Sequence, residues 1–221
     1  MTTVTTLLLH PQDLEGSASV AALSADDLDA LRTVRDWIQD FIVVPNDRLG
    51  RPGPVCPFTP VSIERQALWL AAEHLGDGDV PRLVELLESY KRKLLELAPA
   101  DGGGGDVGVI VVVLTDVSPD QAPALFSGAL EQVAVPSLVD DGILFGPFYD
   151  GHKGTAIYNE EFRPFQSPVP FLFVRHTVLD DWKFFLGSDD MLGHWARRFG
   201  ESATRTLAAE LRRLPWDAPK H

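Results

Sequence analysis

Residues 107–115, VGVIVVVLT, constrain the fold of this chain more than any other stretch. They are apolar and mostly β-branched at consecutive positions, so neither face of an extended segment there suits water. The pattern predicts the middle strand of a sheet covered on both sides. Four glycines at residues 102–105 come just before it. A phosphate-cradling loop follows a strand and opens a helix. This one follows a helical pattern and opens a strand, so it reads as a linker.

The flanking patterns supply the rest of a sheet and its cover. Leu28, Leu31, Val34, Ile38, Phe41 and Ile42 share one helical face, which predicts a helix over residues 25–43 behind Ser24 and Asp27. Residues 65–74 read as a strand. Asp79 and Pro81 then open a helix carrying Leu83, Leu87, Tyr90, Leu94 and Leu97. Another helix is predicted over residues 119–133, capped by Ser118, then a short strand at 143–145 and a strand at 169–177. A helical turn at 179–187 and a helix over 190–214 with Trp195, Phe199, Ala203, Leu207 and Leu211 on one stripe close the chain. Strands interspersed with helices imply an α+β (or α/β) fold, a mixed β-sheet covered by helices. We expect a single domain over residues 24–215, with residues 1–23 an arm holding a short strand at 4–9, and 216–221 a tail.

The totals exclude several classes of function. With 19 Lys and Arg against 32 Asp and Glu, the formal net charge of -13 repels phosphate backbones and anionic lipid surfaces. Nucleic acid and membrane are therefore not expected partners. Residues 1–9 carry no basic leader, and the most apolar stretch is far shorter than the about 20 residues of a spanning helix. A single cysteine, Cys56, excludes an intrachain disulfide and fits a reducing, cytoplasmic setting. No GxSxG, HExxH, Walker or EF-hand pattern is present.

What chemistry there is lies in two stretches. Prolines 45, 52, 54, 57 and 60 make residues 45–60 a stiff loop that presents Cys56 from a rigid frame, either as a small buried hydrophobe or as a ligand or substrate contact. In residues 162–182, FRPFQSPVPFLFVRHTVLDDW, alternation puts Phe171, Phe173 and Arg175 on one face of a strand and Leu172, Val174 and His176 on the other. His176 is then either a core histidine satisfied by a backbone carbonyl or a ligand. Between the two last strands, the Gly-rich, aromatic loop of residues 146–167 brings Tyr149, His152, Lys153, Tyr158 and Asn159 together, as binding lids do.

The blocks PNDRLGRPGPVCPFTP and FRPFQSPVPFLFVRHTVLDDW resemble the signature segments of an uncharacterised family encoded in actinobacterial natural-product gene clusters, over roughly residues 34–185. More distantly, the order of parts is similar to the YcgG-like family, which includes heme-dependent N-oxygenases. Its proline-flanked cysteine is matched by Cys56 and its late basic block by Arg163, Arg175 and His176, whereas its late tryptophan-rich segments have no clear match. The resemblance implies a heme with His176 as axial ligand and Cys56 as the alternative, and Arg163 and Arg175 on the propionates. Tyr149, His152 and Tyr158 would form the distal, catalytic side. The reaction implied is oxidation at nitrogen, N-hydroxylation or N–N bond formation, on a small-molecule amine or amino-acid substrate in natural-product biosynthesis. The alternative is a non-enzymatic accessory or small-ligand-binding protein, and a homodimer is left open.

Overall fold

A parallel pair at the heart of the sheet sets the architecture. In the computed structural model, which describes residues 7–16, 18–77, 79–99 and 107–213 apart from the side chain of residue 19, β1 (Leu68–Glu73) lies parallel to β2 (Val109–Leu114). The chain joins them through α3 (Val80–Leu97), after α1 (Ala25–Trp37) and a short α2 (Thr59–Glu64) that the sequence pattern did not indicate. α4 (Ala122–Pro136) leads to β3 (Ile143–Phe148), which pairs antiparallel with β4 (Phe171–His176); β4 in turn pairs antiparallel with β2. The strand order is β1-β2-β4-β3, so the residue 107–115 segment is an inner strand of a mixed sheet, as its pattern predicts. α5 (Asp189–Arg213) closes the chain, with a kink at Gly200. The fold is a single-domain α+β fold.

Side-chain alternation divides the core into two layers. Ile110, Val112, Leu114, Leu172 and Val174 pack with Leu83, Leu87, Tyr90 and Leu94 of α3 and with Phe126, Ala129 and Val133 of α4. Val111, Val113, Leu70, Phe148 and Phe171 face the other way, against Leu31, Val34, Ile38 and Ile42 of α1 and its continuation. That continuation is a π-turn, Ile38–Ile42, which carries the predicted helix to its expected end. A third cluster forms around the buried Trp195 of α5, with Leu138 and Phe185, and the Trp195 indole donates to the Leu179 carbonyl at 3.1 Å.

Three expectations change. Residues 7–16 and 18–23 are not an arm apart from the domain: Leu9 exchanges backbone bonds with Leu70 (3.0 and 2.8 Å), and Leu9 and Leu14 are buried in the α1 layer. Burial of two leucines and shielding of the β1 edge outweigh the absence of a sustained period. Residues 4–6, the four glycines 102–105 and the tail 216–221 lie outside the described residues. The strand expected to end at Phe145 runs on to Phe148 because Gly146 and Pro147 occupy the sheet edge, where a missing N–H is tolerated. The helix expected from residue 119 begins at Ala122, although Ser118 and Gln121 bond reciprocally, Ser118 N–H to Gln121 Oε1 at 3.0 Å and Gln121 N–H to Ser118 Oγ at 3.4 Å. With its continuation it gives Ala122–Asp141, a helix of a length and mean hydropathy that could cross a membrane. Its Phe126, Ala129 and Val133 are core residues, while Glu131 and Gln132 are exposed, the division of a core helix.

Candidate functional site

The layer on the α1 side of the sheet is not filled throughout. Its floor is aromatic: Phe148 stacks on Phe171 across β3 and β4, with ring centroids 4.7 Å apart and planes at 8°, and Trp37 meets both edge-on. Beside them Phe173 lies directly over Gly146, its cross-strand partner. A Cβ at Gly146 would fall 2.1 Å from the Phe173 ring, so the ring keeps this place only because residue 146 has no side chain. Next along the same face is Arg175, as the alternation predicts.

One wall is the proline loop. Cys56 N–H donates to the Ile42 carbonyl at 3.0 Å, and Arg51 donates from Nη1 to the Pro52 carbonyl and from Nη2 to the Val55 carbonyl, at 3.1 and 3.0 Å. These bonds hold Cys56 over the floor. The opposite wall is the loop after β3, which supplies His152, Thr155, Tyr158 and Phe165; Lys183 and Phe184 and, from α5, Met191 complete it. The two loops are tied together: Asn159 Nδ2 donates to the Arg48 carbonyl at 2.7 Å, Arg48 sits over the Phe162 ring at 5.0 Å, and Gly50, at φ 74°, lies against the Tyr158 backbone.

Between them is a cavity of about 590 Å³, within the range of small-molecule sites. A smaller one of about 100 Å³ continues toward Val109 and Val111 of β2, and the two share Ile42, Cys56, Phe58, Phe148, Phe173 and Arg175. Arg175 is half-buried and held by the buried Asp181, which takes Nη1 at 2.8 Å and Nη2 at 2.6 Å and also accepts the Val178 N–H at 2.7 Å. Burial alone would lower the Arg175 pKa. The Asp181 carboxylate and, less strongly, Cys56 close by push it up instead. His152 is pushed below the ordinary histidine value by burial. Its Nδ1 accepts the Gly154 N–H at 2.9 Å, so in the neutral ring the proton is on Nε2, which is a donor.

The residues expected to act together are only partly assembled. Cys56, Arg175, His152 and Tyr158 all line the large cavity. Tyr149 does not: it packs against Phe126 of α4, 5.9 Å between centroids, and supports the His152 ring at 4.7 Å. Arg163 bonds the Glu160 carbonyl and is not on the wall. His176 borders the small cavity, but its Nε2 donates to the Ala98 carbonyl at the end of α3, at 2.6 Å, and the residue is buried. It is the carbonyl-satisfied core histidine of the two readings its position allowed.

Of the residues expected to hold a heme, Cys56 and Arg175 line this cavity. Nε2 of His176 is engaged with the Ala98 carbonyl, Arg175 is engaged with Asp181, and Arg163 lies outside. Cys56 is the expected donor that does face the space. Among the described residues no group of three or more His, Cys, Asp or Glu side chains is placed to hold a bare metal ion.

Sequence reasoning passed over Arg51, Gly146, Asp181 and Lys183. For Asp181 a signal existed, since it is an acid six residues beyond an arginine on a buried strand. Arg51 and Gly146 gave none, because their roles rest on contacts made across the fold.

The class of architecture is a helix-flanked mixed sheet with one excavated face, roofed by two tied loops. Residues 31–210 match the model of a domain of unknown function (DUF6875), and the chain belongs to that family. No curated protein and no solved structure matches it.

Proposed function

We propose that this chain binds a small organic molecule between the sheet and the loop that follows β3. The observation that carries this reading is the cavity of about 590 Å³ with aromatic walls, roofed by two loops that bond to each other rather than collapsing onto the floor. Apolar walls supply affinity through burial, and the few polar groups orient the ligand. Nucleic acid and membrane have no part in this function. The test is titration with the fluorescent apolar probe N-phenyl-1-naphthylamine. Saturable binding of one probe per chain is expected, with loss of binding in Thr155→Trp, which fills the cavity, at unchanged circular dichroism. A folded wild-type chain that takes up no probe, or a Thr155→Trp variant that binds it equally well, overturns the reading.

A second reading, heme-dependent oxidation at a nitrogen, is favoured by the position of Cys56 on the walls of both cavities. A heme held there would take the thiolate as its ligand and would supply the oxidising chemistry. Reconstitution with hemin separates the readings. This one requires a Soret band that changes in Cys56→Ser and stays in His176→Ala; absence of the band, or the reverse pattern in the variants, removes it.

A further inference from the structure

The charges on the cavity wall cancel in pairs, with one exception. Arg175 is matched by Asp181, and both Asp181 oxygens are occupied, Oδ1 by Nη2 of Arg175 and Oδ2 by Nη1 of Arg175 and the Val178 N–H. Lys183 faces Asp180 at 3.7 Å. Arg51 has no carboxylate partner among the described residues: its Nη1 and Nη2 each give one bond to a loop carbonyl, and its other donors are unspent. Carbonyl dipoles fix a guanidinium in place without neutralising it. Within a chain of formal net charge -13, the cavity thus holds one uncancelled positive charge, in a half-buried side chain.

A cationic ligand has no counterpart here. To enter, an ammonium group would leave water for a wall whose one deep carboxylate is saturated, and it would do so beside Arg51. An oxyanion meets the opposite conditions: a planar fork of N–H donors at Arg51, which suits a carboxylate, and the Nε2–H of the neutral His152 as a further donor on the same cavity. Elsewhere on the wall, Phe58, Phe148, Phe165 and Phe173 offer ring faces and edges, beside the hydroxyls of Thr155 and Tyr158.

We propose that the ligand is a monoanionic aromatic acid, with its carboxylate at Arg51 and its ring on the Phe148–Phe173 floor, and that amines and amino acids are not the ligands of this site. The proposal rests on the reading of the cavity as a small-molecule site, and its test keeps the two apart.

Calorimetric titration compares three probes that share one ring system: 2-naphthoate, its neutral methyl ester and 2-naphthylmethylammonium. The acid is expected to bind about tenfold or more tightly than the ester, as a charge-assisted hydrogen bond allows, with the ammonium the weakest. In Arg51→Gln the acid is expected to lose about tenfold or more beyond whatever the ester loses through loosening of the loop, so that its advantage over the ester disappears. If the ester or the ammonium binds as tightly as the acid while N-phenyl-1-naphthylamine still binds, the charge assignment fails and the cavity reading stands. Equal weakening of acid and ester in Arg51→Gln reduces Arg51 to a loop support and overturns the proposal as well. If neither the naphthyl series nor N-phenyl-1-naphthylamine binds the folded chain, the cavity reading fails, and this proposal with it.

Discussion

Gly146 sets the depth of the cavity through a residue on another strand. Phe173 occupies the space that a side chain at 146 would take, so Gly146→Ala must move the ring upward, into the volume that a ligand needs. Overpacking of this kind costs about 1–3 kcal/mol. The variant is expected to lose stability of that order in urea denaturation, and to lose more N-phenyl-1-naphthylamine binding than the stability change accounts for. A second single-residue test concerns the Arg175–Asp181 pair, which lies beside the same floor. Removing Asp181 strands the half-buried Arg175 guanidinium, so Asp181→Ala should lower stability by up to about 3–5 kcal/mol by chemical denaturation, while loss of an exposed pair such as Arg205–Glu201 should cost about 0–1 kcal/mol. An Asp181→Ala loss no larger than that of the exposed pair would mean that Arg175 finds water or another acceptor.

At the scale of elements, the loop after β3 is expected from its length and composition to be a lid, and its bonds determine how it opens. Its contacts with the proline loop include one side-chain bond from Asn159 to the Arg48 carbonyl, one cation–π contact, the approach of Gly50 to Tyr158 and the packing of Leu49 and Val55 with Ala156 and Phe162. Asn159→Ala removes the bond, worth about 1 kcal/mol, without touching the floor. Amide exchange over residues 155–162 should therefore quicken, and ligand association and dissociation should both speed up while the global unfolding midpoint barely changes. Slower exchange, or a large drop in the midpoint, would show that Asn159 supports the core rather than the closure. The longer helices and the strands, though not α2, were legible in the sequence because period and capping are local: Ser24 and Asp79 cap α1 and α3, as their spacing indicates. The two faces of β4 were legible for the same reason. Which loop covers which face was not, because Arg48 and Asn159 meet only once the chain has folded. Tyr149 looked like a partner of Tyr158 in sequence but packs on the helix side of the sheet, since a strand extended to Phe148 sends the next residue to the opposite face.

The whole molecule carries its charge unevenly, and acid should expose that. Asp27 ties three elements together: its Oδ2 accepts from Ser24 Oγ at the start of α1, and its Oδ1 from Thr115 Oγ1 just beyond β2 and from His74 Nε2 just beyond β1, all at 2.8 Å. Burial would raise its pKa, but the bonds from Ser24 and Thr115 and the nearby His74 together bring it below the ordinary aspartate value. A carboxylate lowered in the folded state binds fewer protons there than in the unfolded chain. Its contribution is complete above the ordinary aspartate pKa and is lost as pH falls toward the lower, folded value. His152 acts in a higher window and also opposes acid. Burial lowers its pKa, so below the ordinary histidine value, about 6.5, the unfolded chain takes up a proton that the folded chain refuses, and stability falls with pH. Denaturation midpoints measured from pH 8 to pH 3 should thus decline in two stages. His152→Phe should flatten the stage just below pH about 6.5 and leave the lower one, whereas Asp27→Asn should flatten the stage below pH about 4 and lower the midpoint at neutral pH. An upper stage that persists unchanged in His152→Phe would mean that the imbalance in proton uptake lies elsewhere. His152 would still offer its Nε2–H to an anion beside Arg51, since that proton is present in both charge states of the ring.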